Sequence, residues 1–363
     1  MIAPVRATVT NTLFKRAKKL FEMRHENDRT TLVQAALLLA WHVENADTVS
    51  SNAFHWVGLA TRTALGLGMH RDLAAGSQSI MPSFDKRLYR RLWWAVLQAE
   101  TSLALEYGRP SMIRAEDFDQ PALGATDFFN INGSKDELVR KDFVIVNSEL
   151  SQIALEILRQ NAPRATPQST ESVDTSLAST AIRLPFSHDF WACQLRINHS
   201  LLTLLHHRTV NTSESSIVCR EAASSILTSF ETMMAQGTIR MCSYQCSTAL
   251  FAAAVQFSRD VKANASSRSA MRTVSSHAQL QRLLRPLEVL SAYWPHVDAL
   301  HKLCANLHLQ CSGFLQSHAL QSPSTAEPDF SANADIPWQD IMADFEFNNF
   351  EQAFGIEDWM NTI

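Results

Sequence analysis

Apolar residues recur at helical spacing along most of this sequence. Residues 12–26 read TLFKRAKKLFEMRHE, with Leu13, Ala17, Leu20, Phe21 and Met23 roughly on one side and Lys or Arg elsewhere, which predicts an amphipathic helix. Residues 31–44 (TLVQAALLLAWHVE) are apolar nearly all round, as expected of a helix buried among others. Phe54, Val57, Ala60, Ala64 and Leu67 predict a helix over 54–67, with Gly66 and Gly68 offering a stop. The longest helix is predicted over 85–107: Leu88, Leu92, Val96, Leu103 and Tyr107 line its inner face, and Gly108 and Pro110 follow its end in the expected order. Residues 114–134 have few periodic cues and read as a loop, and 137–159 return to a helical pattern. Residues 160–180 are rich in Ser, Thr and Pro without an apolar period, which predicts a flexible linker or insertion. Four further helices are expected over 186–207, 214–235, 241–261 and 274–293, and a fifth from Pro295 to about residue 316. No strand pattern survives beside these. The expectation is an all-α, multi-helical bundle with halves at 1–159 and 181–320 joined by 160–180, followed by a distinct segment at 321–363.

Composition supports that reading. The 363 residues are 46% hydrophobic, enough for a sizeable core, and carry only 10 glycines and 12 prolines to interrupt helices. The formal charge of -4 hides an uneven distribution. No Lys or Arg follows Lys302, whereas nine acids do: Glu327, Asp329, Asp335, Asp340, Asp344, Glu346, Glu351, Glu357 and Asp358. The remainder is mildly basic, too weakly and diffusely for a nucleic-acid face, which needs clustered Lys and Arg against several phosphates. Six cysteines in a chain this long read as reduced thiols rather than a disulfide framework. The longest apolar run, residues 35–41, is far below the roughly 20 residues a membrane helix needs, so a membrane partner is not expected.

Three ordered blocks carry a resemblance. Residues 56–72 read WVGLATRTALGLGMHRD, residues 90–94 RRLWW, and residues 108–121 GRPSMIRAEDFDQP. Together they resemble the fungal-specific transcription factor domain, the middle homology region of binuclear zinc-cluster regulators, in its cutinase transcription factor-like group. The matched positions are Gly66, His70, Arg71 and Asp72; Arg90, Arg91, Trp93 and Trp94; and Gly108, Arg109, Pro110, Asp117 and Asp119. The resemblance spans about residues 12–122 and implies a helical regulatory domain in a nuclear, non-enzymatic transcriptional regulator. Where the family pattern has Asp-Arg after the Trp pair, this chain has Glu100 and Thr101. The resemblance also implies that DNA binding and zinc belong to an N-terminal six-cysteine cluster, which these residues do not include. No cofactor is therefore expected in this chain, and DNA is expected to be reached indirectly or through such a module.

The residues themselves suggest a fold-holding role for the blocks. Arg90 and Arg91 are expected to ion-pair with Asp72 or Asp117, and Arg109 with Asp119, since a guanidinium fork suits a carboxylate. Trp93 and Trp94 supply large apolar bodies for a helix interface. No catalytic or metal residues are expected: there is no GxSxG elbow, phosphate-cradling glycine loop or HExxH pair. His301, Cys304, His308 and Cys311 share a helical spacing, but at 1.5 Å rise per residue they spread over about 15 Å, too far to surround one ion.

The acidic end interleaves its carboxylates with Phe330, Trp338, Phe345, Phe347, Phe350, Phe354 and Trp359. Uncompensated repulsion opposes collapse, so the rings cannot all be buried within the segment. This composition suits an activation segment, with Trp338, Phe345, Phe347, Phe350, Phe354 and Trp359 offered to the transcription machinery or a co-activator. The expected function is regulation of a specialised or secondary metabolic pathway. The alternative is a helical ligand sensor or inhibitor that dimerises with a full-length zinc-cluster factor.

Overall fold

The computed structural model describes residues 2–42, 52–73, 81–129, 139–162, 171–208, 212–243, 245–267, 269–294 and 297–320. Among them are eleven α-helices and three single-turn 3₁₀ helices, with no strand element, so the all-α expectation holds. The residues fall into two compact units, divided between Ser187 and His188.

The first unit contains α1 (Ile2–Glu22), α2 (Arg29–Leu39), α3 (Ala53–Gly66), α4 (Ser83–Tyr107), α5 (Lys141–Gln160) and α6 (Glu171–Ile182). Each packs on the next but for the α1–α2 edge being slight and α2 also touching α4. Asp28 starts α2 by accepting the amide protons of Thr30 and Thr31, and these bonds lower its carboxyl pKa. Asn52 caps α3 through His55. The end of α3 is a Schellman turn: Gly68 takes φ of 72°, and the Met69 amide reaches back to the Ala64 carbonyl at 3.0 Å. Of the two glycines predicted to stop this helix, Gly68 therefore supplies the left-handed residue, whereas Gly66 is the last helical one. Gly108 ends α4 at φ of 61°.

Two expectations for this unit differ from the structure. α1 does not bury Leu13, Leu20 and Met23, which are 60%, 51% and 67% exposed. It turns Phe14 and Phe21 inward, where Phe14 stacks on His42 and both rings meet the edge of Trp56. The large rings win the buried stripe because they remove more apolar surface from water than the aliphatic side chains beside them. The second difference is α6, which lies inside the stretch read as a linker. Val173, Leu177 and Thr180 recur at i, i+4 and i+7 and are buried against α5. Ser and Thr dominate only its outer face, where Thr175 and Ser176 bond their own helix backbone. Residues 163–170 of that stretch lie outside the described residues.

The second unit contains α7 (Phe190–Arg208), α8 (Ser213–Ala235), α9 (Cys246–Ser266), α10 (Ala270–Ser291) and α11 (Val297–Leu320). α9 is its axis, touched by the other four. Residues from Ala249 to Ser258 are buried without interruption, which small side chains such as Ala252, Ala253 and Ala254 allow by letting neighbours approach from every side. Cys304 and Cys311 are buried in this core, and His308 stacks on His277 with centroids 4.5 Å apart. Cys242 lies just ahead of α9, not within it, and Cys246 is its first residue.

Candidate functional site

The matched blocks converge in the first unit, where the loop after α3, the start of α4 and the loop after α4 meet. The backbone of residues 69–72 is held by one short segment. The His70 carbonyl accepts the amides of Asp119 and Gln120, each at 3.1 Å. The Gln120 side-chain amide donates to the carbonyls of Met69 and Arg71 at 2.8 and 3.0 Å. Asp119 accepts the Asp72 amide at 2.8 Å, and its second oxygen pairs with Arg71 at 3.1 Å. Arg71 and Asp119 are both half-exposed, so their pair contributes little by itself; the buried Gln120 does the fastening.

From the helix side, Arg90 donates to Asp127 at 2.9 Å and to the Gln120 side-chain oxygen at 3.4 Å. Asp127 is 2% exposed and also accepts the Gly124 amide at 2.8 Å. Trp94 donates its indole N–H to the Pro121 carbonyl at 2.9 Å. Phe118 fits between Trp93 and Trp94, with centroids 5.4 and 5.9 Å away, and His70 lies against Trp93. Further along α4, the buried Glu100 accepts the Met112 amide at 2.7 Å. Burial raises its carboxyl pKa, opposed by the hydrogen bonds from Met112 and Ser111.

These contacts correct the ion pairs expected from spacing. Arg90 pairs with Asp127 rather than Asp72 or Asp117, because Asp127 sits in a 3₁₀ turn (Ala125–Phe128) that packs on α4. Asp119 pairs with Arg71, not Arg109. Arg109 instead lies over the rings of Phe54 and Tyr107, 4.7 and 5.1 Å from their centroids, a cation–π placement. Asp117 is exposed at the end of a 3₁₀ turn (Ala115–Asp117), Pro110 is exposed, and Arg91 is half-buried. Gln120, Asp127 and Glu100 were not singled out as partners. Nothing in a single sequence tells a buried carboxylate from an exposed one. Trp338, Phe345, Phe347, Phe350, Phe354 and Trp359 lie outside the described residues.

The arrangement is a clasp. Glu100, Asp119 and Asp127 are engaged by backbone amides, the last two also by arginines, and among the described residues the clasp joins no nucleophile to a base. Among the described residues, no group of His, Cys, Asp and Glu is placed to hold a metal ion, and no helix is long and apolar enough to cross a membrane. Residues 4–181 match the family model described as fungal specific transcription factor domain.

The chain belongs to that family. The clasp lies wholly inside the matched region, and the family match, with the regulators named below, indicates a transcription factor rather than an enzyme. The chain is similar to the acetamidase regulatory protein of Aspergillus fumigatus, at 31% identity over 80% of this chain and 39% of that protein. The protein of the same name from Emericella nidulans is 31% identical over 82% of this chain and 39% of its own length. Cutinase transcription factor 1 alpha of Fusarium vanettenii is 30% identical over 54% of this chain and 23% of that protein. The chain thus spans about two-fifths of the acetamidase regulators it matches. No solved structure matches it.

Proposed function

We propose that this transcriptional regulator controls genes of a specialised metabolic pathway and recruits the transcription machinery, or a co-activator, through residues 323–363. Two features support the reading. The relatives carry names tied to single metabolic enzymes, an acetamidase and a cutinase. The decisive one is the composition of residues 323–363, nine carboxylates and no Lys, Arg or His around seven aromatic rings. Such a segment presents its rings to an apolar groove on a partner, and its charge speeds encounter with a basic rim. The helical domain upstream serves as the regulatory body, working in the nucleus and acting on DNA through a separate module or a bound partner. Homo- or heterodimerisation with zinc-cluster factors belongs to the same reading.

Fusing residues 323–363 to an unrelated DNA-binding domain tests it. Reporter activation is expected, and changing Trp338, Phe345, Phe350 and Phe354 together to Ala should abolish most of it while leaving the charge intact. A stably expressed fusion that stays silent would overturn the proposal.

A further inference from the structure

In the second unit, α10 and α11 meet through a pair of histidines. His277 and His308 stack with ring centroids 4.5 Å apart and planes 25° from parallel. His277 is fastened: its Nε2 lies 2.9 Å from the Ser312 hydroxyl, which itself donates to the His308 carbonyl at 2.9 Å. A hydroxyl has one proton to give, so Nε2 of His277 is the donor in the first bond. His308 has no such partner. Its Nε2 is shut away from solvent and meets no hydrogen-bonding atom. Burial, then the neighbouring His277, lowers its pKa from the ordinary 6.5.

A proton therefore acts differently on the two rings. On His277 it enters at Nδ1 and leaves the bond to Ser312 intact. On His308 it gives a cation with N–H on both nitrogens, one of them buried and unmet. Protons on both set like charges face to face at 4.5 Å.

Little is at hand to compensate them. Neither histidine has an Asp, Glu, Lys or Arg within four residues along its helix. On α10 the nearest charges are Arg272, which is exposed, and Arg282, which pairs with Glu231 of α8. On α11, Cys304 and Cys311 are thiols that burial keeps protonated, His301 lies two turns back, and Lys302 pairs with Asp298. From α9, Lys262 acts on Cys311 as a positive charge, Arg259 is exposed, and Asp260 is held by Arg220 and Gln256. Glu221 of α8 and Arg240 of the 3₁₀ turn Ile239–Met241 are exposed. Among the described residues, no carboxylate bonds either ring.

We propose that the His277–His308 stack is an acid-sensitive latch between α10 and α11, closed while the rings are neutral and loosened when protonation makes both of them cations. α11 leads into the acidic end of the chain, so the latch ties acidification to the hold on the helix from which that segment departs. It stands whether or not residues 323–363 recruit a partner.

The full chain is unfolded by calorimetry at pH 5.5, 6.5 and 7.5, at constant ionic strength, beside H308F, whose ring stacks but takes no proton. A histidine whose folded pKa lies below its unfolded one contributes stability that is complete above about pH 6.5 and is lost as pH falls. The parent should therefore lose Tm relative to H308F between pH 7.5 and 5.5. Amide exchange in α11, corrected for its intrinsic pH dependence, should quicken over that range by about tenfold in the parent, the effect of one pKa unit, and stay level in H308F. H25Q, at an exposed position in the first unit, should behave as the parent does. Ring-proton NMR of the parent needs no variant, and there His308 should titrate below 6.5. A parent-to-H308F difference that is flat in pH would overturn the latch. So would equal quickening in α7 and α11, or a His308 midpoint at or above the ordinary value.

Discussion

Single side chains in the clasp separate effects that spacing alone merges. Arg90 and Asp127 form a pair in which the acid is nearly enclosed, so removing the arginine strands a buried carboxylate. R90M is expected to cost about 3 kcal/mol in urea unfolding, and R90M with D127N to recover much of it. Additive losses in the double variant would show that the pair does not couple. Trp94 tests the indole bond to Pro121. W94F keeps most of the apolar body, leaves a carbonyl unmet, and should cost about 1 kcal/mol. Glu100 carries a pH signature. Its folded pKa is raised above the ordinary value of 4.5, so the folded state holds this proton more tightly than the unfolded chain does. The resulting stabilisation is complete below the unfolded value and is lost as pH rises through the folded one. E100Q, which keeps an oxygen for the Met112 amide, should therefore gain stability relative to the parent on going from pH 4 to pH 7. A Tm difference that stays flat over that range would contradict the assignment.

At the scale of elements, α6 and α1 are the instructive cases. Ser and Thr set the composition of residues 171–182, but Val173 and Leu177 set their fate, because two apolar residues one turn apart suffice to dock a short helix on α5. L177A should cost about 3 kcal/mol, whereas the same change in a linker would cost nothing measurable. α1 carries two apolar stripes, and only tertiary contact decides which is buried. F14A should lower stability by about 3 kcal/mol, while L13Q, at an exposed site, should fall within roughly 0.5 kcal/mol of the parent. Helix ends were the most legible elements. The glycines after α3 and α4 were readable because a left-handed residue at a helix terminus is a local demand that favours glycine, whatever the rest of the chain does.

For the molecule as a whole, the all-helical class, the order of the long helices and the family were all legible in the sequence. Helical period and breaker placement are local properties, and the three motif blocks are contiguous runs of residues. The partners within the clasp were not legible. Spacing offered Arg90 only Asp72 or Asp117, and the packing of the 3₁₀ turn on α4 brought Asp127 to it instead. Nor was the division of the chain between Ser187 and His188, which falls after a helix that composition disguised. The sequence by itself determined which segments coil and where they stop, because those choices rest on neighbours three or four residues away. Tertiary structure decided which face each helix buries and which charges meet, because those depend on residues tens of positions apart that only the folded chain brings together.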